Sequence, residues 1–207
     1  MATRTISNAG GNWNSTGTWV EGVVPITGDD VVATATSGNL TVNVLSGCTS
    51  VNFTNYVGTL TFTNNLQVAG NITLVNTMTI AGTGTLIQTA AGTLTSNGKS
   101  LGTASLSLTT SNTGRTFADT WTVTNFTTSI SASINGGTVN ITGNLSNTGT
   151  TTAGSTTIFN MTGTGSISAT GGTIRNTVNI NTSGTITFSG SINFGATLNY
   201  VSGTTNT

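Results

Sequence analysis

Apolar and polar residues alternate along most of this chain in short units that recur every six residues. Each unit is apolar–polar–apolar and is followed by three small or polar residues, a pattern typical of a short half-buried strand and then a corner. A unit this short can bury its apolar face only by stacking on copies of itself. The pattern therefore predicts an all-β fold, a parallel β-solenoid. The clearest units span residues 60–62, 66–68, 72–74 and 78–80, and later 178–180, 186–188, 192–194 and 198–200.

Three such units make a three-sided coil of about 18 residues, and Leu60 and Met78 are separated by that distance in the sequence. With coils stacked about 4.8 Å apart, the array would contain about nine of them. Leu60, Leu66, Ile72 and Met78 are predicted to point inward. Handedness stays open, because the aliphatic–Gly start of left-handed hexapeptide helices is mostly absent. A β-sandwich, the alternative, needs turn signals about every 8–12 residues, and turns come more often here.

Residues 1–35 differ from the remainder of the chain. They hold two of the three tryptophans, the only proline and half of the charged residues. We interpret 1–35 as an N-terminal cap or docking segment and 36–207 as the repeat array, because an open solenoid end exposes apolar core and unpaired strand edges. The cap motif consists of Gly11, Trp13, Trp19, Gly22, Pro25 and Asp30.

Each part of this motif suits a closing element. Trp13 and Trp19 can bury a large area with few rotatable bonds, so both are predicted to be buried. Pro25 fixes a turn. Asp30 is predicted to accept hydrogen bonds from backbone amides where the first strand begins.

The spacing Gly-x-Trp, Thr-Trp, Gly-x-x-Pro and Asp-x-Val over residues 1–45 resembles the opening of solenoid structural proteins from tailed bacteriophages, especially marine ones, and of some bacterial surface solenoids. The resemblance implies a non-enzymatic virion protein, a fibre, tail or capsid-decoration component mediating assembly or surface attachment. It would be made in the host cytoplasm, and the first residues lack the apolar run of a secretory signal. Expected partners are other virion proteins or copies of itself, with a trimer as the leading arrangement, and a host surface glycan.

Composition excludes several kinds of partner. The chain has four Lys+Arg, four Asp+Glu and no His, so 4% of its residues are charged, whereas about 25% is typical. Without a basic patch we expect no nucleic-acid binding. Without an apolar stretch near 18 residues we expect no membrane insertion. Cys48 is expected to be a small buried apolar residue.

The same composition argues against catalysis. Without His there is no serine or cysteine triad, and zinc would have almost no ligands. Glycoside hydrolysis normally needs two carboxylates across the bond, and the chain offers Glu21, Asp29, Asp30 and Asp119. Three of these lie in the cap, and Asp119 is expected to form an ion pair with Arg115. We therefore predict no enzyme activity, no cofactor and no metal site; a calcium pair at Asp29 and Asp30 is the weak alternative.

Two other functions remain open from the sequence. One is a secreted or cell-surface adhesin or surface-layer solenoid. The other is ice binding, because Thr-x-Thr pairs flank inward apolar residues at 59/61, 77/79, 93/95 and 185/187.

The C-terminal end supplies a further expectation. The repeat continues through residues 198–200 and then stops without a charged, aromatic or helical closing element. Exposed core and a strand edge there predict that further sequence or another subunit covers the end.

Overall fold

The apolar–polar units fold into short β-strands. The computed structural model describes residues 1–109, 114–151, 154–170 and 172–206. One short 3-10 helix, Thr16–Thr18, lies among them, and no α-helix occurs in these ranges. The strands are β1 (Thr3–Thr5), β2 (Gly11–Asn12), β3 (Asp30–Val32), β4 (Leu40–Val42), β5 (Ser46–Cys48), β6 (Ser50–Asn52), β7 (Thr59–Phe62), β8 (Leu66–Val68), β9 (Ile72–Thr73), β10 (Thr79–Gly82), β11 (Thr85–Gln88), β12 (Gly92–Thr95), β13 (Ser105–Leu108), β14 (Arg115–Val123), β15 (Phe126–Thr128), β16 (Ile134–Ile141), β17 (Leu145–Asn147), β18 (Ile158–Met161), β19 (Gly165–Ala169), β20 (Thr173–Ile174), β21 (Thr177–Ser189), β22 (Asn193–Phe194) and β23 (Leu198–Asn206).

The strands pair in parallel from one coil to the next and form the predicted β-solenoid, with about eight turns. Each turn visits three faces in the same order. The first face contains β4, β7 and β10 and, further along, β18 and the start of β21 and β23. The second contains β5, β8, β11, β13, β15, β17 and β19. The third contains β1, β3, β6, β9 and β12, and later β20 and β22.

The coil is longer than the predicted 18 residues. Leu60 stacks on Leu40 and lies under Ile80, so β4, β7 and β10 on the first face are offset by 20 residues from coil to coil. Two sides keep the six-residue spacing, but Leu74 and Met78 occupy an extended third corner between Ile72 and Ile80. The sequence pattern placed Met78 above Leu60, whereas Ile80 takes that place because the third corner is two residues longer.

Inward apolar side chains form one continuous core. The four residues predicted to point inward, Leu60, Leu66, Ile72 and Met78, are all buried, which confirms that prediction. Cys48 is also buried, as expected. Burial raises the pKa of its thiol to about 12, so Cys48 is protonated at neutral pH and suited to packing rather than to reaction.

Asparagine side chains join one coil to the next. At the corners, the carboxamide oxygen of an asparagine accepts a hydrogen bond from a backbone N–H about one coil later. This satisfies backbone donors that the short ladders leave over. The pairs are Asn39 with Thr59 at 2.8 Å, Asn65 with Thr85 at 2.9 Å, Asn71 with Thr93 at 2.9 Å and Asn144 with Ser166 at 3.0 Å.

The N-terminal residues belong to the same stack of coils. β1 pairs with β3, and β2 pairs with β4, both in parallel. The predicted boundary at residue 35 falls between β3 and β4, so the cap segment already contributes ladder strands. The division into 1–35 and 36–207 stays a prediction. At the other end, Thr207 lies outside the described residues.

Candidate functional site

Two tryptophans close the N-terminal end from inside. Trp13 and Trp19 are 1% and 2% exposed, which confirms their predicted burial. Their ring centroids lie 5.1 Å apart in an edge-to-face arrangement. The indole N–H of Trp19 donates a hydrogen bond of 2.9 Å to the backbone oxygen of Trp13, so the polar atom of this buried ring is satisfied.

The segment 18–21 covers the outer edge of β1. It runs antiparallel to that strand, with a β-bridge between Trp19 and Ile6. The backbone N–H of Val20 donates to the oxygen of Thr5 at 2.9 Å. Backbone groups at the outer edge of β1 are thus hydrogen-bonded to this segment of the same chain. Few of them are left to pair with a strand from another protein.

Glu21 completes this closure with its side chain. Its carboxylate accepts the backbone N–H of Thr5 at 2.8 Å. Burial acts to raise the pKa of Glu21, but the hydrogen bonds, led by the one from Thr5, outweigh burial and leave that pKa below its ordinary value. The charged form of Glu21 therefore stabilises the cap.

Asp29 ties the first strand to the loop before β3. Its carboxylate forms an ion pair with Arg4 at 2.8 Å and accepts the backbone N–H groups of Ala2 and Ile26 at 3.1 and 3.3 Å. The hydrogen bond from Arg4 contributes most to lowering the pKa of Asp29. The motif predicted this amide-binding role for Asp30. The carboxylate of Asp30, the first residue of β3, instead accepts the hydroxyl of Ser50 at 2.6 Å.

The remaining motif residues shape the loop. Gly11 and Gly22 both have positive φ, at 136° and 66°, a region that favours glycine. A side chain at Gly11 would collide with the hydroxyl of Thr18. Pro25 is buried in the turn that leads to Asp29. Five of the six predicted cap residues lie in the first coil and its covering loop, and Asp30 begins β3, one coil further along.

The C-terminal end is open by comparison. Leu198, Tyr200 and Val201 are 40%, 56% and 62% exposed, although Leu198 and Tyr200 stack directly above the buried Val178 and Ile180. Beside them lies a cleft of about 430 Å³. It is lined by Phe188, Gly190, Ile192, Phe194 and Leu198. Within the described ranges β23 forms a ladder with β21 alone.

The carboxylates hold backbone groups rather than face a common cleft. Asp119 accepts the backbone N–H groups of Ser96 and Asn97 at 2.9 and 2.6 Å. The predicted ion pair between Asp119 and Arg115 was wrong: Arg115 is completely buried and donates to the backbone oxygen of Thr109 at 3.2 Å. Arg115 lies inside the core because it begins β14 at an inward position of the ladder.

No group of three or more His, Cys, Asp or Glu side chains within the described residues is placed to hold a metal ion. The carboxylate of Asp29 is engaged with Arg4 and two backbone amides, and that of Asp30 with Ser50. Nothing in this arrangement favours the calcium alternative. The predicted absence of enzyme activity stays a prediction.

The Thr-x-Thr pairs do not stack into one ladder. Thr59 and Thr61 lie on the first face, where their partners one coil later are Thr79 and Ala81. The pair at 93/95 lies on the third face in β12, and the pair at 185/187 lies in β21 opposite the second-face strand β19. This distribution gives no support to ice binding.

Among the described residues, no helix is long and apolar enough to cross a membrane. The chain matches no protein-family model, no curated protein and no solved structure at a significant level.

Proposed function

We propose that this chain is a non-enzymatic structural subunit of a bacteriophage virion, in a fibre, tail or capsid decoration, and that in the assembly further strands, of this chain or of another subunit, cover the last described coil of the solenoid. The observation that carries the proposal is the difference between the two ends. The N-terminal end is closed by its own loop, whereas the C-terminal end leaves Leu198 and Tyr200 exposed above a buried core.

The open end has the features of a docking surface. An unpaired strand edge is a template for another strand, and natural sheets usually cover or charge such edges. The edge of β23 carries no charged residue, and the apolar cleft beside it would be filled by the side chains of a further coil. Covering this end would bury Leu198, Tyr200 and Val201, and burial of apolar surface is the main favourable term in association.

The charge distribution supports a role in a crowded assembly. After Asp119 the sequence contains one charged side chain, Arg175, and the formal net charge of the whole chain is zero. Such a surface has little electrostatic repulsion to oppose close packing against other proteins. The placement of the subunit in a virion rests on the resemblance of the Trp-containing cap to the opening of phage solenoid proteins. Copies of this chain or other virion proteins are the partners that this role requires.

The test is the composition of the particle. Mass spectrometry of purified virions from the source should detect this chain, and its absence from every virion fraction would defeat the proposal.

In a phage that carries Leu198→Lys, the protein should fold but be lost from particles. The matched control is Val57→Lys, since Val57 is 58% exposed but lies far from the open end in sequence and coil order. Equal incorporation of both variants would remove the C-terminal end as the assembly surface.

A further inference from the structure

Two threonine–asparagine pairs lie inside the solenoid, and in each pair the asparagine takes the position of the threonine one coil later. Thr128 ends β15 and pairs in the ladder with Asn147, which ends β17. Thr157 and Asn176 stand directly before β18 and β21, two strands that also pair in parallel. Both pairs span 19 residues, from 128 to 147 and from 157 to 176. The same arrangement therefore occurs twice, on different sides of the coil.

The four side chains are buried, and each keeps one oxygen without a protein partner. Thr157 and Asn176 are 0% exposed, and Thr128 and Asn147 are 1% exposed. The Oγ1 atom of each threonine and the Oδ1 atom of each asparagine have no hydrogen-bond partner among the described residues. Buried polar atoms are almost always satisfied, because an unsatisfied one costs its full desolvation penalty. Four such oxygens in two matched pairs point to a small polar ligand between the members of each pair.

The orientation of both carboxamides follows from chemistry. The Nδ2 atom of Asn147 donates to the backbone oxygen of Gly149 at 2.6 Å. The Nδ2 atom of Asn176 donates to the backbone oxygens of Ile134 and Thr157 at 3.2 and 2.9 Å. A backbone oxygen can only accept, so turning either carboxamide round would bring two acceptors together. The Oδ1 atoms are therefore the ones that need a donor.

The spacing of the coils matches a single water molecule. Neighbouring rungs of a ladder are about 4.8 Å apart, and a water about 2.8 Å from each of two oxygens spans that separation. Water also donates and accepts, so it can donate to Oδ1 of the asparagine and serve the threonine hydroxyl in either direction. Above Asn147 the next rung holds Ala169, a small side chain that takes little of the interior. A cation such as Ca²⁺ takes about six to eight oxygen ligands, more than one such pair supplies.

We propose that each threonine–asparagine pair binds one internal water molecule, which bridges Oγ1 of the threonine and Oδ1 of the asparagine across neighbouring coils. Internal waters of this kind join buried polar groups and are part of the folded structure. Gln88 shows why the pair defines the site. Its Oε1 atom also lacks a partner among the described residues, but Val68 and Leu108 occupy the rungs on either side. A water at Gln88 would therefore find no second side-chain oxygen in that column.

The test is a set of crystal structures at a resolution that shows ordered water, of the wild-type protein and of Thr128→Val and Thr157→Val. Valine keeps the shape of threonine and removes its hydroxyl, and each variant is the control for the other site. The wild-type structure should contain one ordered water within hydrogen-bond distance of both oxygens in each pair. Thr128→Val should lose the water beside Asn147 and keep the one beside Asn176, and Thr157→Val should do the reverse.

Two measurements in solution accompany the structures. Magnetic relaxation dispersion of the water signal counts long-lived internal waters, so each variant should hold one fewer than the wild type and the double variant two fewer. Thr128→Val should also lower Tm by at least about 3 °C, because it leaves Oδ1 of Asn147 without its bridge. The matched control is Thr127→Val, the outward neighbour in β15, which should change Tm by less than about 2 °C.

Three results would overturn the inference. One is a wild-type structure in which the threonine hydroxyl bonds directly to the asparagine. Another is a wild-type structure in which no water lies between the two oxygens. The third is a water that stays in place in Thr128→Val with an unchanged count of internal waters, because the threonine would then not be its ligand. If neither valine variant folds, the wild-type structure and its water count still decide. None of these measurements depends on incorporation into a virion, so they stand apart from the proposed function.

Discussion

The two ends of the solenoid each finish in a short β-strand, but only the N-terminal strand is covered by another segment of the chain. At the N-terminal end, Trp19 is 2% exposed and the segment 18–21 hydrogen-bonds along the edge of β1. At the C-terminal end, Tyr200 is 56% exposed and no described segment crosses the edge of β23. The coils themselves are alike, so the difference lies in the presence or absence of a covering segment over the terminal strand.

This contrast shows what a solenoid end requires. Each coil is stabilised mainly by its two neighbours, so a terminal coil has one neighbour fewer and must obtain contacts elsewhere. The N-terminal coil obtains them from a loop with two tryptophans and two carboxylates that accept backbone amides. The C-terminal coil repeats the internal pattern and has the contacts of an internal coil on one side.

The sharpest way to break the comparison is to truncate one aromatic residue at each end. Trp19→Ala should cost about 3–5 kcal/mol in the free energy of unfolding, because it removes a buried ring and leaves a cavity. Tyr200→Ala should change stability by less than about 0.5 kcal/mol, as expected for an exposed site. Urea denaturation followed by circular dichroism measures both. Similar losses for the two variants would mean that the ends do not differ in closure.

A second test concerns the hydrogen-bonded asparagine ladder of Asn140, Asn160, Asn179 and Asn199 on the first face, and compares an inner residue with the last one. Asn160 donates to Asn140 and accepts from Asn179, so Asn160→Leu should lose about 1–2 kcal/mol. Asn199→Leu removes one exposed hydrogen bond and should lose less than about 0.5 kcal/mol. Thermal unfolding of both variants gives the comparison. A larger loss at Asn199 would show that the last coil is already tightly held.

Much of this architecture can be predicted from the sequence, because the alternation of apolar and polar residues depends on local strand geometry. The burial of Leu60, Leu66, Ile72 and Met78 was predictable in this way. The length of the coil was not predictable, because Met78 in the extended third corner is apolar and buried and so has the same sequence pattern as an inward residue of a strand. The pairings of Leu60 with Leu40 and with Ile80 reveal the 20-residue offset.

Polar residues in the site were harder to predict than apolar ones. Asp29 and Asp30 are adjacent and chemically identical, and their partners, the backbone N–H of Ala2 for Asp29 and the hydroxyl of Ser50 for Asp30, are distant in the sequence. Arg115 was expected to form an ion pair with Asp119, but it is completely buried although burying a guanidinium is costly. Its position at the start of β14 is set by the ladder of neighbouring coils, which local sequence does not specify.

Acid should loosen one end selectively. Glu21 and Asp29 have lowered pKa values in the folded chain. Their contribution to the free energy of unfolding is therefore complete above the ordinary pKa values of about 4.3 for Glu and 3.9 for Asp, and it is lost as pH falls through the pKa values of the folded chain. No carboxylate side chain comes after Asp119 in the sequence. The C-terminal coils should therefore be insensitive to acid between about pH 6 and 3, the range over which carboxyl groups titrate.

Tryptophan fluorescence in a Trp121→Phe background reports this acid effect, because the remaining signal comes from Trp13 and Trp19. The combined variant Glu21→Gln and Asp29→Asn should be less stable at neutral pH and should lose most of the pH dependence. A transition of unchanged size in that variant would assign it to other groups.

The smallest effect is a difference in local opening that needs no mutation. Terminal elements with few covering contacts open with low free energy, so amides of β23 should exchange with deuterium at least about tenfold faster than those of β1. In β1 the N–H of Thr5 is held by Glu21 and the oxygen of Thr5 by Val20, whereas the outer edge of β23 has no described partner. Mass spectrometry of peptides from both strands measures the ratio in the free protein. A peptide or partner bound at the open end should slow exchange in β23 and leave β1 unchanged. Equal protection of the two strands in the free protein would mean that the C-terminal edge is covered in solution and that the contrast between the ends does not hold.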